Sequence, residues 1–163
     1  KETMEKQDPA PRAAIGTCVP CEVRKSCIDG KDLGIGLFSR VFMDAGTLIW
    51  KYNVNEYNER EARKILDSFS NEEDKKLWIE HIFAWKEKIV LLRDDLELIN
   101  HSQNPNVYFS QKDGNIRVLK KINPGEELLI DYQKLGSYPA FYLQMMQEVG
   151  SWFSSRIQSD KTD

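Results

Sequence analysis

The chain has 163 residues, of which 40% are hydrophobic and 30% charged, and its net charge is −3 at pH 7. This composition is typical of a folded domain with its own core, and no apolar run approaches the ~20 residues of a membrane-spanning helix. The slightly acidic charge argues against a nucleic-acid-binding domain with a basic surface, and it is compatible with a basic peptide partner.

Residues 1–22 form a flank that is rich in proline, alanine and charge, and we expect it to be partly flexible. The chain begins with Lys1 and shows no signal-peptide pattern, which suggests a fragment or a processed form. Cys18, Cys21 and Cys27 are an odd number of cysteines, which indicates reduced thiols in an intracellular compartment, nuclear or cytoplasmic. Because structural zinc normally takes four ligands, we favour free cysteines over a metal site completed by a partner.

Short strands are predicted after this flank, at 23–28, 33–38 and 47–52. Asp29 and Gly30 form a turn signal between the first two. The second strand contains Gly34 and Gly36, and two glycines inside a strand mark a bulge or the close approach of another backbone or ligand. A bulge is the favoured interpretation.

The middle of the chain predicts a helical insert at about 56–87. Asn58 and Glu61 form a capping box, and residues 70–73 offer a second one. Apolar residues at helical spacing follow each box: Ala62, Ile65, Leu66 and Phe69 after the first, and Leu77, Trp78, His81, Ile82 and Trp85 after the second. The acidic residues of this insert are read as a solvated surface.

Strands return at 89–92, 107–109, 116–119 and 127–131, with a hairpin turn at 112–115. A helix is predicted from Ser137, with Pro139 in its first turn, within a C-terminal helical flank at 134–163. Its apolar stripe comprises Phe141, Met145, Val149 and Trp152, with Tyr142, Met146 and Phe153 beside them. Many short strands with a helical insert and a terminal helix predict an α+β domain that is mainly β. The pattern lacks the alternating βαβ units of a Rossmann-type domain.

Two segments place polar side chains directly beside apolar strand residues. Such a combination is unfavourable in a hydrophobic core and is typical of a functional site. The first reads N-H-S-Q-N-P-N at 100–106, and the second reads G-E-E-L-L-I-D-Y at 125–132. Polar groups that follow an apolar strand need partners, because their burial is otherwise costly. Pro105 prevents a regular continuation of the strand, and Tyr132 places a phenol at the end of the other.

Together these segments resemble the two signature motifs of SET-domain protein lysine methyltransferases. The segment G-I-G-L-F at 34–38 resembles the opening of that domain, and the resemblance spans about 23–133. It implies a SET fold of short strands with a pseudoknot. It also implies a protein lysine N-methyltransferase that uses S-adenosyl-L-methionine as its cofactor, with histone modification and chromatin regulation among its expected roles.

The resemblance also implies the roles of individual residues. Tyr132 is the expected catalytic residue. The expected cofactor-binding residues are Gly34, Ile35, Gly36, Asn100, His101 and Tyr132, and the expected residues of the substrate channel are Tyr52, Tyr108 and Phe109. For Tyr52, ordinary packing of a strand aromatic is an equally weighted alternative. The expected partner is a lysine-bearing protein or peptide, with histone tails as one candidate, and neither a nucleic acid nor a membrane is expected.

Three positions depart from the family pattern. Gln103 stands where a zinc-binding cysteine is usual, and no cysteine follows Cys27, so no post-SET zinc site is expected. Lys51 replaces a usual glutamate. Lys134 stands two residues after Tyr132, where an aromatic residue often limits the number of methyl groups, so the product state stays open. These departures keep a second hypothesis open, a non-catalytic SET module that acts as an interaction scaffold.

Overall fold

A computed structural model describes residues 9–28, 30–135 and 138–150. Within these ranges the strands are β1 (Arg12–Ala13), β2 (Cys21–Ile28), β3 (Lys31–Ser39), β4 (Leu48–Trp50), β5 (Val54–Tyr57), β6 (Ile82–Trp85), β7 (Lys88–Leu92), β8 (Asn100–His101), β9 (Val107–Phe109), β10 (Ile116–Val118) and β11 (Leu129–Ile130). The helices are α1 (Glu59–Ser68), α2 (Glu72–Glu80) and α3 (Ala140–Glu148), and 3-10 turns occupy Asp95–Leu98 and Tyr132–Lys134. The prediction of a mainly-β α+β domain is confirmed.

The chain forms two compact units. The first comprises Lys1–Lys51, Asp94–Ser110 and Asn115–Asp131, and the second comprises Tyr52–Arg93, Gln111–Gly114 and Tyr132–Asp163. None of the described helices has the length and apolar character that a membrane crossing requires. The boundaries predicted for the flanks, the SET domain and the insert stay a prediction.

Two antiparallel sheets and one parallel strand pair build the first unit. The sheets have the orders β1-β2-β3 and β4-β10-β9, and β8 pairs with β11 in parallel. The β2–β3 register shifts between Lys25 and Cys27. Cys21 and Val23 are buried before the shift, whereas Ser26, which is one position out of phase with this odd-numbered face, is buried at it. The bulge therefore changes the buried side of β2.

Part of the predicted N-terminal flank is bonded to the first unit. Arg12 contacts the Asp95 carboxylate with two nitrogens, at 2.7 and 2.8 Å, and the backbone N–H of Ile15 donates to the same carboxylate at 2.7 Å. The N–H of Cys18 donates to Ile49 O at 2.6 Å. These contacts attach the segment before β2 to β4 and to the 3-10 turn that precedes β8.

The second unit contains the insert sheet, of order β5-β7-β6, and the three helices. Asn58 caps α1 as predicted, and its side chain accepts from the N–H of Glu61 at 2.9 Å. The core joins α1, α2, the sheet and α3. Tyr142 of α3 is 1% exposed. Its hydroxyl lies 3.2 Å from Ile79 O and 3.0 Å from Ile82 O, to which it donates.

The prediction for the second helix is wrong in two respects. Its cap is Asn71, whose side chain accepts from the N–H of Asp74 at 2.8 Å, and the helix ends at Glu80. The residues from Ile82 to Trp85, predicted to continue the apolar stripe, form β6 and pair with β7. A hairpin turn with positive φ angles of 50° and 58° at Lys86 and Glu87 connects the two strands. The hydrogen bonds between β6 and β7 therefore determine the conformation here, although the apolar residues have helical spacing.

The predicted C-terminal helix is present, but α3 begins at Ala140 and Pro139 is its cap residue. Pro139 therefore precedes the first turn, in which it was predicted to lie. Met145 and Val149 of the predicted stripe are buried in the core of the second unit. Trp152 and Phe153 lie outside the described residues. The last predicted strand is shorter than expected, because β11 contains only Leu129 and Ile130.

Candidate active site

Asn100 connects β8 to two other segments of the first unit. Its side-chain nitrogen donates to Ile35 O at 3.1 Å and to Glu127 Oε1 at 2.9 Å. A primary amide has two N–H donors, so both are used inside the protein. The side-chain oxygen of Asn100 is therefore the group of this amide that remains for a ligand.

Gly36 lies buried beside this hydrogen-bonded cluster. A Cβ at this position would lie 2.0 Å from Glu127 Oε1 and 3.0 Å from Asn100 Nδ2. Such distances are far below van der Waals contact, so the carboxylate of Glu127 occupies the space that a side chain would need. Of the two interpretations for glycine in this strand, close approach of another group applies at Gly36.

Gly34 has a different reason to be glycine. Its φ angle is +79°, and no heavy atom of the described residues lies within 4 Å of the position that a Cβ would take. A positive φ is costly for residues that carry a Cβ, so the backbone and not the packing requires glycine here. Between the pairs Lys25–Ile35 and Cys27–Asp32, two residues of β3 stand opposite one residue of β2. Gly34 is one of these two, so it belongs to the bulge that the sequence predicts.

His101 neighbours the end of the second motif. Its ring Nδ1 lies 3.8 Å from Asp131 Oδ1, and the side chain of Asp131 is 9% exposed. This distance is too long for a hydrogen bond, so the pair interacts through charge when the imidazole is protonated. The parallel pairing of β8 with β11 places His101 opposite Ile130 and Asn100 opposite Leu129.

Asn106, in the first motif, links that motif to the second one through both atoms of its side-chain amide. Its side-chain nitrogen donates to Glu127 O at 2.8 Å, and its side-chain oxygen accepts from Leu129 N at 2.8 Å. The Asn106 backbone N–H donates to Leu129 O at 3.0 Å. One residue thus continues the ladder beyond β8, which holds the two motifs together after Pro105 has ended regular pairing.

Glu127 is the site residue that the sequence reasoning missed. The sequence predicts it only as a strand residue, but its Oε1 accepts a hydrogen bond from the Asn100 amide and occupies the space that a side chain at position 36 would need. The sequence does show an acidic residue, Glu127, directly before the apolar Leu128 in a predicted strand. A carboxylate so near a core needs a hydrogen-bond partner, but the sequence does not say which residue that partner is.

Tyr132 belongs to the second unit and begins the 3-10 turn Tyr132–Lys134. Burial raises the pKa of its phenol above the ordinary value, so the phenol is protonated at neutral pH. Tyr138 donates from its hydroxyl to Tyr132 O at 3.5 Å, and its ring stacks on Tyr142 with centroids 5.3 Å apart. Burial also raises the pKa of Tyr138, to about 12.

Tyr52 belongs to a second pair of packed aromatic rings in the same unit. Its hydroxyl donates to Glu56 Oε1 at 2.6 Å, and its ring meets Trp85 edge-on with centroids 4.7 Å apart. Burial, followed by the hydrogen bond to Glu56, raises the pKa of the Tyr52 phenol. A Cβ on Gly114 would lie 2.7 Å from the Tyr52 ring, so this pair packs directly on the backbone of the 111–114 segment.

The two other predicted channel residues are neighbours on β9. Tyr108 is 38% exposed and Phe109 is 6% exposed. Adjacent residues of a strand point to opposite faces, so these rings do not share a face of the sheet. Their role in a channel stays a prediction.

The cysteines that the structure describes are separate from these clusters. Cys18 is exposed and free, and Cys21 is buried and free, with a pKa that burial raises to about 11. Within residues 9–28, 30–135 and 138–150, no three or more metal-ligating side chains come together to hold an ion. The preference for free cysteines over a site shared with a partner stays a prediction.

Comparison with known proteins identifies the domain type. A family model described as "SET domain" matches residues 34–133. The structure is similar to the Neurospora SET domain protein DIM-5, a histone lysine methyltransferase, with a TM-score of 0.57 and 20% identity over 77% of this chain and 56% of that chain. A comparison with curated proteins finds no match.

Two structures of Polycomb Repressive Complex 2 are also similar. One, titled as ctPRC2 in an autoinhibited conformation bound to S-adenosylmethionine, has a TM-score of 0.53 and 21% identity over 78% of this chain and 16% of that chain. The other, from Chaetomium thermophilum and bound to GSK126, has a TM-score of 0.53 and 19% identity over 78% and 17%. Sequence identities this low establish a similar fold and nothing further. This chain covers between 16% and 56% of the length of the three matched chains.

Proposed function

Because this chain belongs to the SET-domain family, we propose that it is an S-adenosyl-L-methionine-dependent protein lysine N-methyltransferase. The observation that carries the proposal is the hydrogen bond from Asn100 to Ile35 O, at 3.1 Å. It joins the two segments that the family resemblance assigns to the cofactor, although 65 positions separate them in the chain.

The residues of the first unit fit this cofactor in their chemistry. Within the described residues, open space lies beside the Cα of Gly34, and the hydrogen bonds from the Asn100 amide to Ile35 and Glu127 use its nitrogen and not its oxygen. Ser26, at the bulge opposite this part of β3, is 0% exposed, and its hydroxyl has no hydrogen-bond partner within the described residues. The residues that we propose to hold the cofactor are Gly34, Ile35, Gly36, Asn100 and His101. When bound, S-adenosylmethionine supplies a methyl group that is activated by an adjacent sulfonium.

The proposed role of Tyr132 is to orient the substrate amine. A lysine amine must be neutral to accept a methyl group, and its ordinary pKa of ~10.4 makes this cost about 4.6 kcal/mol at pH 7. Removal from water lowers a lysine pKa by up to ~3–5 units, which is enough without a strong base. The raised pKa of Tyr132 keeps its phenol protonated, so it serves as a hydrogen-bonding group that aligns the amine and not as a general base.

The proposed substrate is a lysine-bearing protein segment of basic character, with a histone tail as one candidate. The net charge of −3 is compatible with such a partner. A histone substrate is consistent with DIM-5, which is described as a histone lysine methyltransferase, and it would place this protein in the nucleus.

The second candidate function is a SET module that lacks activity and serves as a protein-interaction scaffold. Lys51, Gln103 and Lys134 favour it, because each departs from the family pattern. Calorimetric titration with S-adenosylmethionine separates the two candidates. An enzyme binds the cofactor, whereas the absence of binding would favour the scaffold.

The deciding experiment for activity is incubation with isotope-labelled S-adenosylmethionine and an array of lysine peptides, followed by mass spectrometry. We expect labelled methyl groups on lysine in a subset of peptides, and the mass increments give the number of methyl groups. If the protein binds the cofactor but transfers no labelled methyl group to any peptide, or to any protein of a cell extract, the proposed enzymatic activity is contradicted.

A further inference from the structure

Gln111 makes two hydrogen bonds at the end of the turn that begins with Tyr132. Its side-chain Nε2 donates to Lys134 O at 3.2 Å and to Leu135 O at 3.1 Å. Carbonyl groups at the C-terminal end of a helical turn have no partner within the turn. A single side-chain amide that reaches two successive carbonyls therefore sets the direction in which the chain leaves this turn.

The backbone of Gln111 is itself held in place. The indole N–H of Trp85 donates to Gln111 O at 3.4 Å. Three residues later, Gly114 has a φ of +77°, and a Cβ there would lie 2.7 Å from the Tyr52 ring and 2.8 Å from the Trp85 ring. The 111–114 segment thus lies against the Tyr52–Trp85 pair, so the Gln111 side chain extends from an anchored backbone.

Two other contacts converge on the carbonyl of Tyr132, at the beginning of the same turn. The backbone N–H of Leu135 donates to Tyr132 O at 3.3 Å, and the hydroxyl of Tyr138 donates to Tyr132 O at 3.5 Å. These bonds do not involve Gln111. Loss of the Gln111 amide should therefore leave the turn folded while one of its ends becomes free to move.

We infer that Gln111 is a positioning residue for Tyr132, because its amide fixes the far end of the turn that carries the phenol. The inference rests on the proposed function in assigning Tyr132 to methyl transfer. It adds a residue from outside both sequence motifs, anchored by Trp85 of the insert sheet. The orientation of the phenol thus depends on the packing of the insert as well as on the motif that contains Tyr132.

The test uses three substitutions at Gln111 and one control. Gln111→Ala removes the amide, Gln111→Glu keeps its shape but provides no donor to the two carbonyls, and Gln111→Lys restores a donor. Gln147→Glu makes the same chemical change at an exposed position of α3. Steady-state methyl transfer to a peptide found on the array gives kcat and KM, and thermal unfolding reports on the fold.

We expect kcat to fall between ~10- and ~100-fold in the Ala and Glu variants, since misplacement of a reacting group has effects of this size. KM should change by less than about twofold, because the substrate-binding groups are retained. The Lys variant should recover much of the loss, and Gln147→Glu should match the wild type. Full activity in both Gln111→Ala and Gln111→Glu, or an equal loss in the Lys variant, would overturn the inference.

A second measurement does not depend on activity. Tyrosine labelled with ¹³C at Cζ reports on Tyr132 by NMR, and the Tyr132→Phe variant assigns its resonance. We expect this resonance to shift or broaden in Gln111→Ala and Gln111→Glu but not in Gln147→Glu; an unchanged resonance in both Gln111 variants contradicts the inference. An NMR effect in a protein that transfers no methyl groups would instead contradict the proposed function while preserving the link between Gln111 and Tyr132.

Discussion

The side chain of Asn100 donates a hydrogen bond of 2.9 Å to Glu127 Oε1, across 27 positions of the chain. The acceptor is a carboxylate, and hydrogen bonds to ionised acceptors are roughly twice as strong as neutral ones. Since the second N–H of the same amide is bonded to Ile35 O, Glu127 determines the direction in which Asn100 Oδ1 points.

Glu127→Ala should weaken the binding of S-adenosylmethionine, because the Asn100 amide loses its charged partner and is free to turn. We expect a loss of ~10-fold, or about 1.4 kcal/mol, in the range of a hydrogen bond to a charged group. Calorimetric titration measures it. Glu127→Gln retains an accepting oxygen and should stay within about threefold of the wild type, and the exposed Glu97→Ala is the control; unchanged affinity in Glu127→Ala would refute the role assigned to this carboxylate.

Gly36→Ala should destabilise the fold, since its Cβ would lie 2.0 Å from Glu127 Oε1. Overpacking of this kind typically costs ~1–3 kcal/mol, to be measured as the free energy of unfolding in urea. The companion double variant, Gly36→Ala with Glu127→Ala, removes the obstructing carboxylate. The loss of unfolding free energy in the double variant should therefore be smaller than the sum of the losses in the two single variants. A loss equal to that sum would mean that some other movement relieves the clash.

Tyr132→Phe should reduce kcat for methyl transfer at least ~100-fold, because the amine loses the hydroxyl that aligns it. Cofactor affinity should change little, and the far-ultraviolet circular dichroism spectrum should be unchanged. Tyr57→Phe, which removes a hydroxyl from the insert sheet, is the matched control. Turnover near the wild-type rate in Tyr132→Phe would remove this residue from the mechanism.

Glu56 makes stability depend on pH in a defined direction. Its hydrogen bonds to Tyr52 and then to Lys88 lower the pKa of its carboxyl from the ordinary value of 4.5. A carboxyl with a lowered folded-state pKa contributes stability above its unfolded-state pKa and loses it as the pH falls through the folded-state value. The wild type should therefore exceed Glu56→Gln in unfolding free energy at pH 6–7, and the difference should shrink below pH ~4.5. A difference that is constant from pH 7 to pH 3 would show that the carboxylate charge is irrelevant.

Tyr142→Phe should destabilise the second unit, because it removes the one buried hydroxyl hydrogen that the carbonyls of Ile79 and Ile82 share. The expected cost is ~1–3 kcal/mol, the penalty for buried polar groups that are left without a partner. Denaturant unfolding measures it, with Tyr108→Phe as a control at a partly exposed tyrosine. Equal stability of the two variants would indicate that the carbonyls find other donors.

Local patterns were sufficient for much of the fold and for the family. The caps, the glycine turns and the alternating strands depend on residues a few positions apart, so the mainly-β class, the Asn58 cap and the β9 strand could be read directly. The helix predicted from the apolar spacing is wrong from Ile82 to Trp85. There, pairing with β7 decided in favour of a strand, because hydrogen bonds to a neighbouring strand are invisible to helical periodicity.

The sequence by itself determined which residue types are present for the chemistry: the Asn100–His101 pair, the glycines of β3 and the phenol of Tyr132. Only the tertiary structure decided how they are held. Glu127 orients Asn100 and excludes a side chain at Gly36, while Gln111 reaches the turn of Tyr132 from a loop anchored by Trp85. These contacts join residues that lie 23 to 91 positions apart. No local pattern encodes them, since a hydrogen bond depends on distance in space and not on distance along the chain.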